Sequence, residues 1–176
     1  MKNIFKTLPA IALLVVGLAF SATAQTGDPV EKNATATATI ITPLTLTNVA
    51  DMNFGNITAT TAGGTVILAP AGGRTASGVQ LPGTTGTVAA ASFTVAGEAS
   101  YAYTVNLPAT HTITKAAGTE TMSLGTFTSS LTDNTTTLDG TGAGAFTVGS
   151  TLTVGASQAS GTYTDATGFT VSVVYN

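Results

Sequence analysis

Apolar and polar residues alternate with a period of two along most of this chain, in short segments that glycine-rich stretches separate. In residues 34–41 (ATATATII), the alanines and Ile40 share one face and the threonines share the other. This alternation is typical of β-strands with one buried face, and no window has the i, i+3, i+4 spacing of an amphipathic helix. Pro43 follows, which favours an edge strand or a bulge because proline has no N–H to donate.

Further strands are predicted after a second apolar alternation at Leu44, Leu46 and Val49. They cover residues 65–69, 88–97, 100–107, 110–115, 121–131, 145–154 and 162–175. Residues 96–99 are predicted to join two of these strands as a hairpin turn. Short strands at this spacing predict an all-β fold, an immunoglobulin-like or Greek-key β-sandwich of about seven to ten short strands.

The N-terminus has the features of a secretory signal peptide, predicted for residues 1–24. Lys2 and Lys6 precede an apolar run at residues 8–20, and the small residues 22–24 (ATA) place the cleavage before Gln25. The run is shorter than the roughly 20 apolar residues that span a bilayer, so we expect export and no stable membrane insertion after cleavage. Residues 25–33 are predicted to form a flexible N-terminal arm, and residues 34–176 a single β-sandwich domain.

Composition argues against several classes of function. The chain has five basic residues against eight acidic ones, one histidine and no cysteine. It therefore offers no basic surface for nucleic acid, no disulfide or thiolate metal site, and no histidine cluster for zinc binding or acid–base catalysis. We expect a protein that is not an enzyme and has no catalytic residues, cofactor or metal.

Two single side chains carry weaker signals. His111 follows a proline turn, and without a second histidine it is expected to be neither a metal ligand nor a catalytic base. Arg74, within a glycine-rich stretch, is interpreted as a solvated loop arginine in preference to the partner of a carboxylate.

Two small groups of residues suggest ligands only weakly. Asp133, Asn134 and Asp139 bring oxygen ligands into one loop, but calcium loops space their acids at alternate positions and end in glutamate. Tyr101 and Tyr103 lie two residues apart on one predicted strand, where a sugar ring could stack. Core packing or cross-strand pairing is the favoured interpretation.

A series of short motifs carries a family resemblance. The motifs are NFGNI at 53–57, GGRT at 72–75, GVQL at 78–81, FTVAG at 93–97, YTV at 103–105, GTY at 161–163 and FTVSVVYN at 169–176. The series resembles the secreted bacterial family catalogued as domain of unknown function 4402, and is similar to common-pilus (Mat-type) fimbrillins. The resemblance covers residues 34–176. The last strand, with Tyr175 in penultimate position, is also similar to that of chaperone–usher pilins, although the cysteine pair of many such pilins is absent.

The resemblance implies an immunoglobulin-like fold that an N-terminal extension of the next subunit completes. An incoming strand would pair with an open sheet edge and place alternate side chains in a groove. The expected donor residues are Val30, Ala34, Ala36, Ala38 and Ile40. The expected acceptor groove is lined by Val171, Val173 and Tyr175. Because the alanines are small, two possibilities stay open: the groove is shallow, or residues 34–41 form the domain's own first strand.

The favoured function is a structural, non-enzymatic pilin-like subunit of a bacterial surface fibre that assembles by β-strand addition. It would pass through the periplasm to the cell surface, with identical subunits as partners and a periplasmic chaperone and an outer-membrane usher in assembly. The alternative is a monomeric secreted β-sandwich module that binds a polysaccharide or host ligand through loops at one end. That alternative requires Tyr101, Tyr103 or Tyr163 to be exposed.

Overall fold

The computed structural model describes residues 27–176, so the predicted signal peptide lies outside the described residues. Residues 27–44 contain no strand or helix, and their side chains are exposed except at Ile41 and Leu44. The compact domain begins at Thr39. Over the described range, no helix is long and apolar enough to cross a membrane.

Eleven strands and one short 3-10 helix at Thr132–Asn134 build the domain. The strands are β1 Thr45–Ala50, β2 Gly64–Leu68, β3 Arg74–Ser77, β4 Ala91–Ala96, β5 Ala102–Asn106, β6 Thr110–Lys115, β7 Thr121–Ser129, β8 Thr135–Thr137, β9 Ala143–Val154, β10 Tyr163–Thr164 and β11 Ser172–Tyr175. The predicted all-β sandwich is confirmed, with one strand more than the expected range.

The strands form two antiparallel sheets. The large sheet has eight strands in the order β1-β4-β9-β7-β6-β10, with β2 paired to β9 and β3 paired to β2. The small sheet has three strands in the order β11-β5-β8. The twelve-residue β9 organises the large sheet, because its first half pairs with β4 and its second half with β2, while β7 pairs along its other edge.

Two apolar clusters lie against the inner face of the large sheet. The first joins β4 and β9 to the small sheet, with Phe93 and Phe146 stacked at 5.3 Å beneath Tyr103 and Val105 of β5. The second joins β2, β7 and β9, and it contains no residue of the small sheet. Loops supply its cover through Phe54 and Val79. The small sheet therefore packs over only part of the large one.

The predicted hairpin at residues 96–99 is wrong, because β4 and β5 belong to different sheets. The connection crosses from one layer to the other, and Gly97 N–H donates to the Gly142 carbonyl at 2.9 Å on the way. Val95 and Tyr103 are both buried, in the same cluster. Placing the two strands in facing layers buries both apolar faces, which neighbouring strands of one sheet would do only against a third element.

Two other segments differ from the predicted strands. Residues 34–41 form no strand in the structure, so they are not the domain's own first strand. Alanine buries little apolar area, which leaves little free energy to offset the entropy of ordering this segment. Residues 162–175 are split into β10 and β11, which belong to different sheets.

Candidate functional site: an open groove between the sheets

A groove with a volume of about 1340 Å³ opens where the small sheet ends. Its floor is the inner face of the large sheet, with Phe93 of β4, Leu124 of β7 and Leu152 of β9. The floor joins the two apolar clusters described above. At Leu124 and Leu152 the floor belongs to the part of the sandwich interior that the small sheet does not cover, where the loop residues Phe54 and Val79 pack in the same cluster.

One wall of the groove is formed by residues 51–59, which follow β1. Isolated bridges pair Asn53 with Ala89 and Thr58 with Gln80. The guanidinium of Arg74 donates to the carbonyls of Phe54, Asn56 (2.9 Å) and Thr85 (3.3 Å). Arg74 is half-buried and begins β3, so it is not the predicted solvated loop arginine, and it is not paired with a carboxylate. Its planar fork of donors holds the wall to the neighbouring loop.

The opposite wall is formed by residues 158–171. At one end, Gln158 Nε2 donates to Tyr163 Oη at 2.8 Å, and that hydroxyl donates to the Ala159 carbonyl at 2.7 Å. Farther along, His111 of β6 is hydrogen-bonded to Asp165. This bond, together with the two-residue pairing of β10 with β6, attaches the wall to the floor.

Phe169 marks the end of this wall nearest to β11. Its ring lies 5.0 Å from that of Phe127 and 6.2 Å from that of His111, measured between ring centroids. His111 therefore helps to attach this wall to the large sheet.

Among residues 27–176, no group of three or more acidic or histidine side chains could hold a metal ion.

The predicted acceptor residues fall into two places. Val171 lines the groove. Val173 and Tyr175 lie farther along β11 and pack against the first cluster, because β11 pairs with β5 from Ser172 onward and is seated there over the core.

Tyr175 closes a small polar network at the start of the domain. Its hydroxyl accepts from Glu98 N–H at 2.6 Å and donates to the Thr42 carbonyl at 2.7 Å. Thr42 N–H in turn donates to the Glu98 carboxylate at 2.9 Å, and this bond is the main reason that the pKa of Glu98 lies below its usual value. Both backbone groups of Thr42 are therefore held, just before Pro43.

The predicted donor residues are all exposed: Val30, Ala34, Ala36, Ala38 and Ile40. Val30 is 89% exposed and Ile40 is 97% exposed, more than the other large apolar side chains with high exposure in the described part of the chain.

The remaining candidates serve the fold. Asp139 Oδ1 accepts from the Ala143 and Thr141 N–H groups and from the Thr141 hydroxyl, at 2.7 to 2.9 Å, and these bonds lower its pKa. Tyr103 is fully buried and Tyr101 is 44% exposed, with its ring edge-on to that of Tyr175. The two tyrosines therefore do not form a joint platform for a sugar ring.

The sequence pattern does not assign Met52, Phe54 and Ile57, which line one wall of the groove, to the site. Phe54 and Ile57 belong to the NFGNI motif of the family resemblance and Met52 precedes it, but the apolar spacing of these three residues follows neither a strand nor a helix. That irregular spacing, in a segment with two asparagines and a glycine, is the signal for a loop that covers part of a core.

Comparison with known proteins identifies one family. The domain of unknown function DUF4402 matches residues 44–175. No curated protein and no solved structure matches the chain. The matched range runs from the residue before β1 to the last residue of β11, and so includes both sheets and both walls of the groove. The chain belongs to the DUF4402 family.

Proposed function

We propose that this protein is a structural, non-enzymatic pilin-like subunit of a bacterial surface fibre, similar to Mat-type fimbrillins. It is exported through the periplasm, and its subunits join when an extended segment of one enters the groove of the next. The observation that carries this proposal is the open groove over the second apolar cluster. A sandwich interior that its own strands leave uncovered is an acceptor for a strand from elsewhere.

The physical driving force is the burial of apolar surface together with backbone pairing. An inserted strand would remove from water the half-buried apolar side chains that line the groove, such as Met52, Ile113 and Val171, at roughly 25 cal/mol per Å² of apolar area. Its N–H and C=O groups would pair with an open sheet edge, such as that of β11, which pairs on one side only, with β5. The backbone pairing requires an extended occupant and not a compact ligand.

Pairing of an arm on one subunit with a groove on the next is a heterologous contact, which propagates into a filament instead of closing. Identical subunits are the partners in this proposal. An open apolar groove is also an aggregation hazard before assembly, so a periplasmic chaperone and an outer-membrane usher would shield it during export. The scarcity of charge in the strands suits packing along a fibre.

The test is light scattering with thermal melting on residues 25–176, with and without a synthetic peptide of residues 25–41. The proposal expects polymers or a low melting temperature for the protein alone, and a stable monomer with the peptide. The control peptide carries Ala36→Asp and Ile40→Asp, which place two charges on the apolar face and should abolish the effect. A stable monomer whose mass and melting temperature neither peptide changes would refute the proposal and favour the binding module.

A further inference from the structure

We infer that residues 169–171 are the edge that receives the partner's strand, and that the partner's residues 34–40 enter with the alanines and Ile40 facing the floor. The occupant is a second copy of this chain. The inference rests on the proposed function and adds to it the pairing edge and the facing of the donor.

The first argument is the state of the backbone before β11. The ladder between β11 and β5 starts at Ser172, opposite Asn106. Within the described part of the chain, residues 169–171 form no backbone–backbone hydrogen bond. They therefore present unpaired N–H and C=O groups in line with an existing strand, which is the usual template for strand addition.

The second argument is the alternation of side chains along this edge. All three residues line the groove, but Phe169 and Val171 are half-buried whereas Thr170 between them is exposed. A strand has this two-residue periodicity when one face is turned to a core. A partner strand added at this edge would place its own side chains alternately over the floor and toward solvent.

The third argument is the match between the donor and the groove. From Asn33 to Ala50 the chain carries no charged residue, so the donor segment itself would bring no charge into the groove. Ala34, Ala36 and Ala38 occupy little depth, which lets the donor backbone lie close to the floor, and Ile40 adds one large apolar group. The threonines of residues 35–39 would then keep their hydroxyls in water.

The experiment uses pairs of introduced cysteines in the mature chain, which has none of its own. Val171→Cys is combined with Ala36→Cys, and as the matched control with Thr37→Cys, one residue further on the opposite face. A disulfide needs the two Cβ atoms within about 3.5–4.5 Å, so only side chains on the same face can be joined. Thr170→Cys with the same two partners gives the reciprocal test.

The expected result is a ladder of disulfide-linked multimers on non-reducing gels for Val171→Cys with Ala36→Cys, and loss of that ladder with Thr37→Cys. Thr170→Cys should instead form the ladder with Thr37→Cys and not with Ala36→Cys. Ala34→Cys and Ala38→Cys are included because the register along the edge can differ by two residues without changing the facing. Thermal melting under reducing conditions identifies any variant that does not fold, and another position of the same face replaces it.

The outcomes separate the inference from the proposed function. The inference on the pairing edge would be overturned if the cysteine-free protein forms fibres but the cross-links either form equally with both faces of the donor or never form at residues 170 and 171. The proposed function as a fibre subunit would be unaffected by that result. Failure of the cysteine-free protein to assemble under any condition, with no cross-link in any pair, would overturn both.

Discussion

Tyr103 and Tyr175 lie opposite each other in neighbouring strands, yet their hydroxyl groups have opposite surroundings. The Tyr103 hydroxyl is buried with no hydrogen-bond partner in the described structure. The Tyr175 hydroxyl accepts one hydrogen bond and donates another, to backbone groups of Glu98 and Thr42. Replacing each tyrosine by phenylalanine removes the same oxygen, so we expect changes in stability of opposite sign.

The magnitudes follow from what each hydroxyl exchanges with water on folding. A buried polar group without a partner costs about 1–3 kcal/mol, and Tyr103→Phe should recover about 1 kcal/mol or more of the free energy of unfolding. Each bond of Tyr175 contributes about 0.5–1.5 kcal/mol net, so Tyr175→Phe should lose about 1–3 kcal/mol. For a domain of this size, 1 kcal/mol shifts the melting temperature by about 3–5 °C.

The assay is denaturant unfolding and calorimetry of residues 25–176 and of both variants, at neutral pH and then from pH 8 to 11. Burial raises the pKa of Tyr103. The folded state therefore holds that proton at a pH where the unfolded chain has lost it, and this contribution to stability falls as pH rises above about 10. Tyr103→Phe should lose less stability than the wild type over this range.

Destabilisation by Tyr103→Phe to the same extent as by Tyr175→Phe would refute this reasoning, because it would mean that the Tyr103 hydroxyl makes a favourable interaction. An alkaline profile of Tyr103→Phe identical to that of the wild type would refute the titration argument separately.

Three further predictions concern the loops. Hydrogen bonds lower the pKa of Asp139 in the folded state, so the stability that this carboxylate contributes is present above about pH 4 and is lost as pH falls through the lower folded pKa. Asp139→Asn should therefore reduce the fall of the free energy of unfolding at acid pH, and an unchanged fall would contradict this. Arg74→Ala should lower the free energy of unfolding by about 1–3 kcal/mol and speed amide hydrogen exchange in the groove wall at residues 53–58. Arg74→Lys should restore little of the stability or of the protection from exchange. Full restoration by lysine would show that the charge alone matters. Gly142 has a φ of +80°, and a Cβ added there would lie 2.2 Å from the Gly97 carbonyl oxygen. Gly142→Ala should therefore lower the free energy of unfolding by at least about 2 kcal/mol. Gly140→Ala is the control, because a Cβ added there would have no atom within 4 Å, and it should have the melting temperature of the wild type.

The strand content of the domain could be read from local pattern. The segment at Thr110–Lys115 has the predicted bounds, and β4, β5, β7 and β9 lie within a few residues of theirs. Burial alternates along β4, β5 and β6. In β7 the alternation shifts at an irregularity between Gly125 and Thr128, and in β9 three successive residues, Val148 to Ser150, are buried. The signal is local because a strand with one buried face needs only a two-residue period.

The candidate site could be read from the sequence only in part. The sequence predicts Val171 for an acceptor groove, and its side chain lines the groove between the sheets; its role as an acceptor stays a prediction. The sequence does not predict the wall at residues 51–59, because the structure of this wall depends on Arg74 and on pairing with residues that follow far along the chain. Arg74 itself was interpreted as solvated. Its three carbonyl acceptors come from two loops that only the folded chain brings together.

The sequence by itself determined that this is an all-β protein with little charge, no cysteine and an alternating segment before its first strand, since period, composition and propensity are local properties. Only the tertiary structure decided that β4 and β5 lie in facing sheets, that residues 34–41 form no strand, and that the large sheet is left partly uncovered. Those outcomes depend on how much apolar area each arrangement buries across the whole domain. That quantity is a sum over distant residues, and no local pattern contains it.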